Sequence, residues 1–218
     1  MPSRDWGEIV RLLREHNGAN PLPSVSRIAR DSRSPFQILV STMISLRTKD
    51  DVTYSASERL FAHADTPAAL VELSESRIAE LIYPAGFYRT KAANIREASR
   101  LIVEEHGGSV PPDMEALTAL PGVGRKTANL VLGQGFDIPS ICVDTHVHRI
   151  ANRCGWVETK TPEQTELALM DVLPREHWIE INELLVGYGQ TACTPTSPRC
   201  SVCVIAEQCE RRGVTRSR

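Results

Sequence analysis

This sequence of 218 residues lacks the signals of membrane insertion and export. No stretch reaches the roughly 18 consecutive apolar residues of a transmembrane helix. Met1–Asn20 carries charges throughout instead of the apolar core of a signal peptide. Both absences predict a cytoplasmic protein that has no membrane partner.

Aromatic residues and an excess of positive charge are also scarce. Aromatics make up only 5% of the residues, and the formal net charge is −2 at pH 7, whereas a nucleic-acid-binding domain recognised by charge alone is strongly basic. Any basic surface must therefore be local. Basic residues gather in two places, around one segment (Arg125, Lys126, Arg149, Arg153) and near the C-terminus (Arg211, Arg212, Arg216, Arg218).

The alternating pattern of β-strands is the third missing feature. Apolar residues recur instead at helical spacing, as in Asp5–His16. The helix that follows Ser34 and Pro35 is apolar on nearly every side, which predicts a central position in the fold. We therefore predict an all-α protein, with helices as the only regular elements.

Glycine and proline suggest where the helices stop. Asn17–Ser26 contains one glycine and two prolines and is predicted to be a linker. Pro174 is expected to start the last long helix, which would end at Gly187. The remainder of the chain is predicted to be rich in loops.

A tight turn between two helices stands at the centre of the sequence, in Leu-Pro-Gly-Val-Gly-Arg-Lys-Thr-Ala-Asn over 120–129. Pro121 ends the first helix, and Gly122 and Gly124 allow a sharp turn into the second. Such a turn exposes unpaired backbone N–H groups at a helix N-terminus, which can bind a DNA phosphate. The alternative is an ordinary helical hairpin whose glycines only relieve crowding.

Two charged residues near this turn suggest chemistry. Lys126 lies in the first turn of the second helix, where the positive end of the helix dipole disfavours a cation. Asp144 follows an apolar run and precedes the helical stretch Thr145–Cys154, so it is predicted to cap that helix. Each residue alone has an ordinary explanation, a solvated lysine or a structural cap.

Four of the six cysteines form a C-x6-C-x2-C-x5-C pattern: Cys193, Cys200, Cys203 and Cys209. In a reducing compartment such a group favours a metal site over disulfides. Structural zinc is one candidate, although zinc sites commonly use two separated C-x2-C pairs and only one is present. The other two cysteines, Cys142 and Cys154, have apolar or helical neighbours and are predicted to be buried and inert.

The hairpin with Val-Asp-Thr-His at 143–146, together with the cysteine pattern, resembles the endonuclease III family of the helix-hairpin-helix (HhH-GPD) DNA glycosylase superfamily. The resemblance implies a [4Fe-4S] cluster on the four cysteines. It also implies two helical domains flanking a DNA cleft. One is a six-helix domain with the hairpin over 28–138, and the other is a discontinuous cluster domain over 1–27 and 139–218.

The same resemblance implies a bifunctional glycosylase and AP lyase that acts as a monomer on duplex DNA and associates with the nucleoid through it. Lys126 would attack the sugar C1′, and the resulting Schiff base would undergo β-elimination. Asp144, facing it across the cleft, would stabilise the cationic sugar and move protons. Oxidised pyrimidines and abasic sites are the implied substrates, and no organic cofactor is needed.

The resemblance further implies DNA contacts by the hairpin residues Gly122, Val123 and Gly124 and by Arg149. Arg47 stands where the family places a glutamine in the hole left by the flipped base. An arginine there could prefer guanine as the orphan base, or could merely bind phosphate. Phe87 stands where the family carries an apolar wedge, with a core phenylalanine as the alternative.

Two other functions stay open at this stage. A mismatch adenine or thymine glycosylase would typically lack a lysine at position 126, and the adenine enzymes usually add a further C-terminal domain. A noncatalytic iron–sulfur DNA-binding module would need only the Gly-Val-Gly turn. The joint presence of Lys126 and Asp144 favours the glycosylase/lyase over both.

Overall fold

A computed structural model describes residues 4–18 and 22–218, and all regular structure in these ranges is helical. The α-helices are α1 (Trp6–Asn17), α2 (Ser24–Ser32), α3 (Pro35–Ser45), α4 (Asp50–Phe61), α5 (Pro67–Val71), α6 (Glu75–Ile82), α7 (Tyr88–Glu105), α8 (Met114–Ala119), α9 (Arg125–Phe136), α10 (Thr145–Arg153), α11 (Pro162–Val172) and α12 (Glu180–Thr191). Three short 3₁₀ turns cover Arg175–His177, Cys200–Val202 and Ala206–Gln208. The predicted all-α class is confirmed.

The helices form two compact units. The first unit combines Met1–Pro23 with Pro139–Arg218, and the second unit is Ser24–Ile138. The sequence-based division starts the second domain at Ile28, but α2 begins at Ser24 and packs on α3 and α4. Asp50 anchors this start, because its carboxylate accepts hydrogen bonds from the Ser24 N–H (2.9 Å) and Oγ (2.8 Å).

The predicted linker Asn17–Ser26 is therefore wrong at both ends. Asn17 still belongs to α1, and residues 24–26 form the first turn of α2 with buried side chains. Residues 19–21 of this stretch lie outside the described residues. The Asp50 carboxylate that fixes the start of α2 is far along the chain, so the local pattern of glycine and proline did not reveal it.

Helix α3 is the centre of the second unit. Ser34 caps it by accepting the Gln37 N–H (3.3 Å), and Pro35 begins it. Its side chains from Ile38 to Ile44 are buried, and it packs against α2, α4, α7 and α9. The predicted central position is confirmed. The resemblance implies six helices here, whereas the fully described range 24–138 holds eight, of which α5 and α8 have only 5 and 6 residues.

The first unit is built around the pairing of α1 with α12. Helix α1 packs against α12 and buries Ile9, Val10 and Leu13 in an apolar core to which α10 also contributes. Trp6 meets Trp156 edge to face, with 5.0 Å between ring centroids. Helix α11 completes this core beside α10. The N-terminal helix therefore shares a core with residues that lie more than a hundred positions later in the chain.

The expected last helix differs from the prediction at both ends. Pro174 is followed by a 3₁₀ turn, and α12 begins only at Glu180. Helix α12 also continues through Gly187 and Gly189 to Thr191. These glycines serve close packing, since a Cβ at Gly187 would meet the Asn17 side chain at 2.9 Å. Among the helices described, none has the length and apolar character that crossing a bilayer requires.

Candidate nucleic-acid interface and metal centre

The turn between α8 and α9 has the sharp geometry expected from its glycines. Gly122 has a φ of +77°, and a Cβ there would lie 2.8 Å from the Asn94 amide nitrogen. Val123 is buried and donates its N–H to the Leu120 carbonyl (3.1 Å). Gly124 is the N-cap of α9, and no atom lies within 4 Å of a Cβ added there. The N–H groups of the first turn of α9 lack acceptors within the helix and adjoin this open space.

The two glycines allow folding and DNA binding to be separated by matched alanine substitutions. Gly124→Ala is expected to lower the free energy of unfolding by less than about 1 kcal/mol, since its φ of −99° suits alanine. Its methyl group would obstruct a phosphate, so we expect about tenfold weaker DNA binding. Gly122→Ala is expected to lose about 1–3 kcal/mol of stability through its positive φ.

Urea unfolding and fluorescence anisotropy with a duplex that carries a stable abasic analogue measure these two effects. Wild-type affinity in the Gly124→Ala variant would show that the hairpin does not bind phosphate. It would leave the ordinary helical hairpin as the explanation of the turn.

Lys126 lies in the first turn of α9 and belongs to the second unit. Its side chain is partly exposed. Among the residues that the structure describes, none forms a hydrogen bond or ion pair with it. The Lys126 side chain therefore lies where the helix dipole disfavours a cation, and it is accessible to solvent. None of the described carboxylates forms an ion pair with it.

Asp144 is the N-cap of α10 in the first unit, as predicted. Its Oδ1 accepts hydrogen bonds from the N–H groups of His146 (2.8 Å) and Val147 (2.9 Å). These bonds orient the carboxylate, and Oδ2 takes part in neither of them. The side chain is partly exposed. Capping thus accounts for the position of Asp144, and its catalytic role remains a prediction.

Arg47 and Phe87 come from separate loops of the second unit and lie together. The Arg47 guanidinium carbon is 5.6 Å from the centroid of the Phe87 ring, within cation–π range. Phe87 is 64% exposed, which excludes the alternative of a core phenylalanine. Both residues have left-handed backbone conformations, with φ of 53° and 57°. Their contacts with DNA stay predictions.

A buried lysine that the sequence analysis missed stands beside this pair. Lys91 is only 8% exposed, and its Nζ donates to the carbonyls of Ile44 and Leu46 (both 2.6 Å) and to Thr48 Oγ1 (2.8 Å). Burial lowers the pKa of Lys91 to about 8. A signal was available, since Lys91 is in register with Ile95 on the apolar stripe of α7.

Arg149 is turned toward the cysteine-rich segment of the first unit. Its Nη2 donates to the carbonyls of Cys193 (2.8 Å) and Gly189 (3.3 Å). Burial lowers the pKa of its guanidinium. The structure therefore gives Arg149 a local role in holding the start of this segment, while its contact with DNA remains a prediction.

The four patterned cysteines line one largely apolar pocket, and Cys154 lines it as well. Among the described residues, no three His, Cys, Asp or Glu side chains form a group suited to a single metal ion. Cys142 and Cys154 are buried, as expected. Cys154 is hydrogen-bonded to Cys209, and this bond raises the pKa of Cys154 and lowers that of Cys209.

Two further side chains donate hydrogen bonds to the sulfurs. Arg153 Nη1 lies 3.2 Å from Cys193 Sγ, and the Tyr188 hydroxyl lies 3.0 Å from Cys203 Sγ. Burial raises the pKa of Cys193, and Arg153 opposes this effect. Four thiols, an apolar enclosure and donors to sulfur fit an iron–sulfur cluster, whose ligands are cysteine thiolates tuned by such hydrogen bonds.

Both motifs match known protein families. Residues 40–175 match the family described as HhH-GPD superfamily base excision DNA repair protein. Residues 193–209 match the iron-sulfur binding domain of endonuclease III. The first match includes the hairpin, Lys126 and Asp144, and the second match begins and ends at patterned cysteines.

Similar proteins cover most of the chain. It is 47% identical to endonuclease III of Thermotoga maritima, over 87% of this chain and 91% of that protein. It is 39% identical to endonuclease III of Escherichia coli strain K12, over 93% of each chain. A solved non-covalent endonuclease III–DNA complex superposes with a TM-score of 0.82 at 29% identity, covering 95% of this chain and 96% of that one.

Proposed function

Because the chain belongs to the endonuclease III family of HhH-GPD base excision DNA repair proteins, we propose that it removes oxidised pyrimidines from duplex DNA with Lys126 as nucleophile. The chain is a DNA glycosylase with AP lyase activity, and its cofactor is a [4Fe-4S] cluster. The proposal concerns the class of lesion that is removed and the residues that carry out the reaction. It rests chiefly on one observation, a partly exposed Lys126 in the first helical turn after a Gly-Val-Gly hairpin.

Substrate access requires that the damaged nucleotide leave the base stack, because the glycosidic bond is hidden inside the duplex. The N–H groups at the start of α9 would bind a backbone phosphate, and this contact reads no base. Arg47 and Phe87 would enter the gap that the flipped nucleotide leaves. Lys126, only two residues after Gly124, would then stand beside the sugar.

Base removal follows from attack by the neutral Lys126 amine on C1′. The C1′–N bond to the base breaks, the base leaves with its bonding electrons and takes up a proton, and the sugar ring opens to a Schiff base with Nζ. Loss of a C2′ proton then expels the 3′ phosphate by β-elimination. Hydrolysis of the Schiff base returns the free amine.

Asp144 would act on the charges that this sequence creates. A carboxylate stabilises the positive charge on the sugar as the base departs, and it can accept and return protons. The bonds of Oδ1 to the start of α10 hold the carboxylate in a fixed orientation, so little reorganisation accompanies the reaction.

Cys193, Cys200, Cys203 and Cys209 would hold the cluster, which supplies a covalent anchor for a segment with little apolar core of its own. Arg149 and Arg153 would support this site through the Cys193 carbonyl and sulfur. The hydrogen bond from Tyr188 would orient Cys203. We further propose that the protein works as a monomer in the cytoplasm, associated with nucleoid DNA.

Borohydride trapping tests the proposal. Cluster-loaded protein is incubated with duplexes that contain thymine glycol, an abasic site or no lesion. We expect a covalent adduct with the first two and none with the third, together with strand cleavage 3′ to the lesion. Adduct with the abasic site alone would contradict the lesion class. Absence of any adduct would contradict the lysine mechanism and favour a monofunctional glycosylase or a binding module.

A further inference from the structure

We propose that Lys91 is a positioning residue that determines which base is accepted opposite the lesion, by fixing the loop that carries Arg47. We call residues 44–48 the Arg47 loop. The inference rests on the proposed function, since it assigns to Arg47 the orphan base of the damaged pair. Lys91 itself would touch neither the base nor the reacting sugar.

The hydrogen bonds of Lys91 bracket Arg47 on both sides. Two bonds go to the carbonyls of Ile44 and Leu46, before Arg47, and the third goes to the hydroxyl of Thr48, directly after it. An ammonium has three donors, and all three are used here. The three acceptors are neutral groups, so the bonds serve to hold the backbone and do not neutralise a carboxylate.

This restraint matters because Arg47 is held in an unfavourable conformation. A left-handed φ is uncommon for residues other than glycine and persists only where the surroundings impose it. Arg47 has a φ of 53°. Without the ammonium, the carbonyls of Ile44 and Leu46 would lose a charged donor in a buried setting, and the loop could relax to a common conformation.

Lys91 also joins the Arg47 loop to the loop of Phe87. Its backbone N–H donates to the Phe87 carbonyl (3.0 Å) in the first turn of α7. Gly86 approaches from the same side, where its N–H donates to Thr48 Oγ1 (3.1 Å). A Cβ at Gly86 would overlap the Arg47 carbonyl oxygen. One lysine thus connects both residues that are proposed to fill the gap in the duplex.

The chemistry of the guanidinium suggests which base this arrangement favours. On its major-groove edge, guanine presents two acceptors, N7 and O6, whereas the other bases present fewer acceptors or a donor on that edge. A fixed Arg47 can match that pair, while a mobile one can adapt to any base or move to a phosphate. We therefore expect a preference for guanine opposite the lesion that depends on Lys91.

The test measures binding so that it does not depend on catalysis. Affinities are determined for four duplexes in which a tetrahydrofuran abasic analogue faces each of the four bases. The wild-type protein is expected to bind the duplex with guanine at least about fivefold more tightly than the others, as one well-placed pair of hydrogen bonds provides. Lys91→Met is expected to reduce this ratio to below about twofold. Ser99→Ala, another buried polar residue of α7 whose hydroxyl bonds only within the helix, should keep the ratio.

A double substitution distinguishes positioning from general damage to the fold. If Lys91 acts through Arg47, then Lys91→Met added to Arg47→Ala should change the ratio no further. Further loss in the double variant, an unchanged ratio in Lys91→Met, or no preference in the wild-type protein would overturn the inference.

A second variant covers the case in which Lys91→Met does not fold. Thr48→Val removes one acceptor of Lys91 and should lower the guanine preference partially, and an unchanged ratio in this variant would then overturn the inference. Failure of the proposed function has a different signature, because wild-type protein would then give no trapped adduct with the thymine glycol duplex. The binding ratios would still report on Lys91 in that event.

Discussion

Replacing Lys126 with glutamine is expected to abolish the borohydride-trapped adduct and to lower strand cleavage at an abasic site by at least about a thousandfold. Glutamine is polar and only one atom shorter than lysine, but it has no nucleophilic amine. Because Lys126 is partly exposed and has no partner among the described residues, its loss should leave the free energy of unfolding nearly unchanged. Single-turnover cleavage and urea unfolding measure the two quantities.

Lys160→Gln provides the matched control. Lys160 is an exposed lysine two residues before the start of α11 and should be replaceable without loss of adduct. An adduct that persists in Lys126→Gln would assign the nucleophile to another amine. Loss of stability along with activity would mean that Lys126 contributes to the fold of the hairpin.

The second large effect is expected from Asp144→Asn. Asparagine caps helices about as well as aspartate, so this variant should retain the bonds to His146 and Val147 and unfold within about 1 kcal/mol of wild type. The negative charge is lost, and base excision should fall by about 10²–10⁴-fold. Asp144→Ala should lose the cap as well, with an additional decrease of about 1 kcal/mol in the free energy of unfolding.

Single-turnover excision of thymine glycol, read together with thermal unfolding, separates the two roles of Asp144. Full activity in Asp144→Asn combined with a defect only in Asp144→Ala would show that the residue is a cap and nothing more. The pair of substitutions is informative because the structure assigns the capping bonds to one oxygen, Oδ1.

Features encoded by neighbouring residues were predictable from the sequence. The Gly-Val-Gly turn, the Asp144 cap and the spacing of the four cysteines each depend on a few consecutive positions. Gly122 has the positive φ that its place in the turn required. Asp144 caps α10 because an apolar run and a helix flank it. Local patterns of this kind predict the structure correctly because the contacts that they specify form between residues close together in the sequence.

Features that depend on distant partners were not predictable. Asp50 fixes the start of α2, and Lys91 reaches across to the Arg47 loop; the residues next to each of them do not identify its distant partner. Gly187 was predicted to end a helix, whereas the structure shows that it makes room for the Asn17 side chain. The residues next to Gly187 in the sequence do not indicate this contact. In each case the residue that determines the structure lies many positions away in the sequence. Composition and spacing therefore gave a wrong prediction or no prediction.

The pairing of α1 with α12 has a consequence for the order of events during synthesis. The second unit is continuous, so all of its partners leave the ribosome together and it can fold early. Helix α1 emerges first but must wait for α10 and α12 before Ile9 and Leu13 are covered. Until then its apolar side is available to chaperones. Assembly of the iron–sulfur centre must come later still, because its pocket requires Tyr188 and residues up to Val214, so iron is delivered only after these residues have been synthesised.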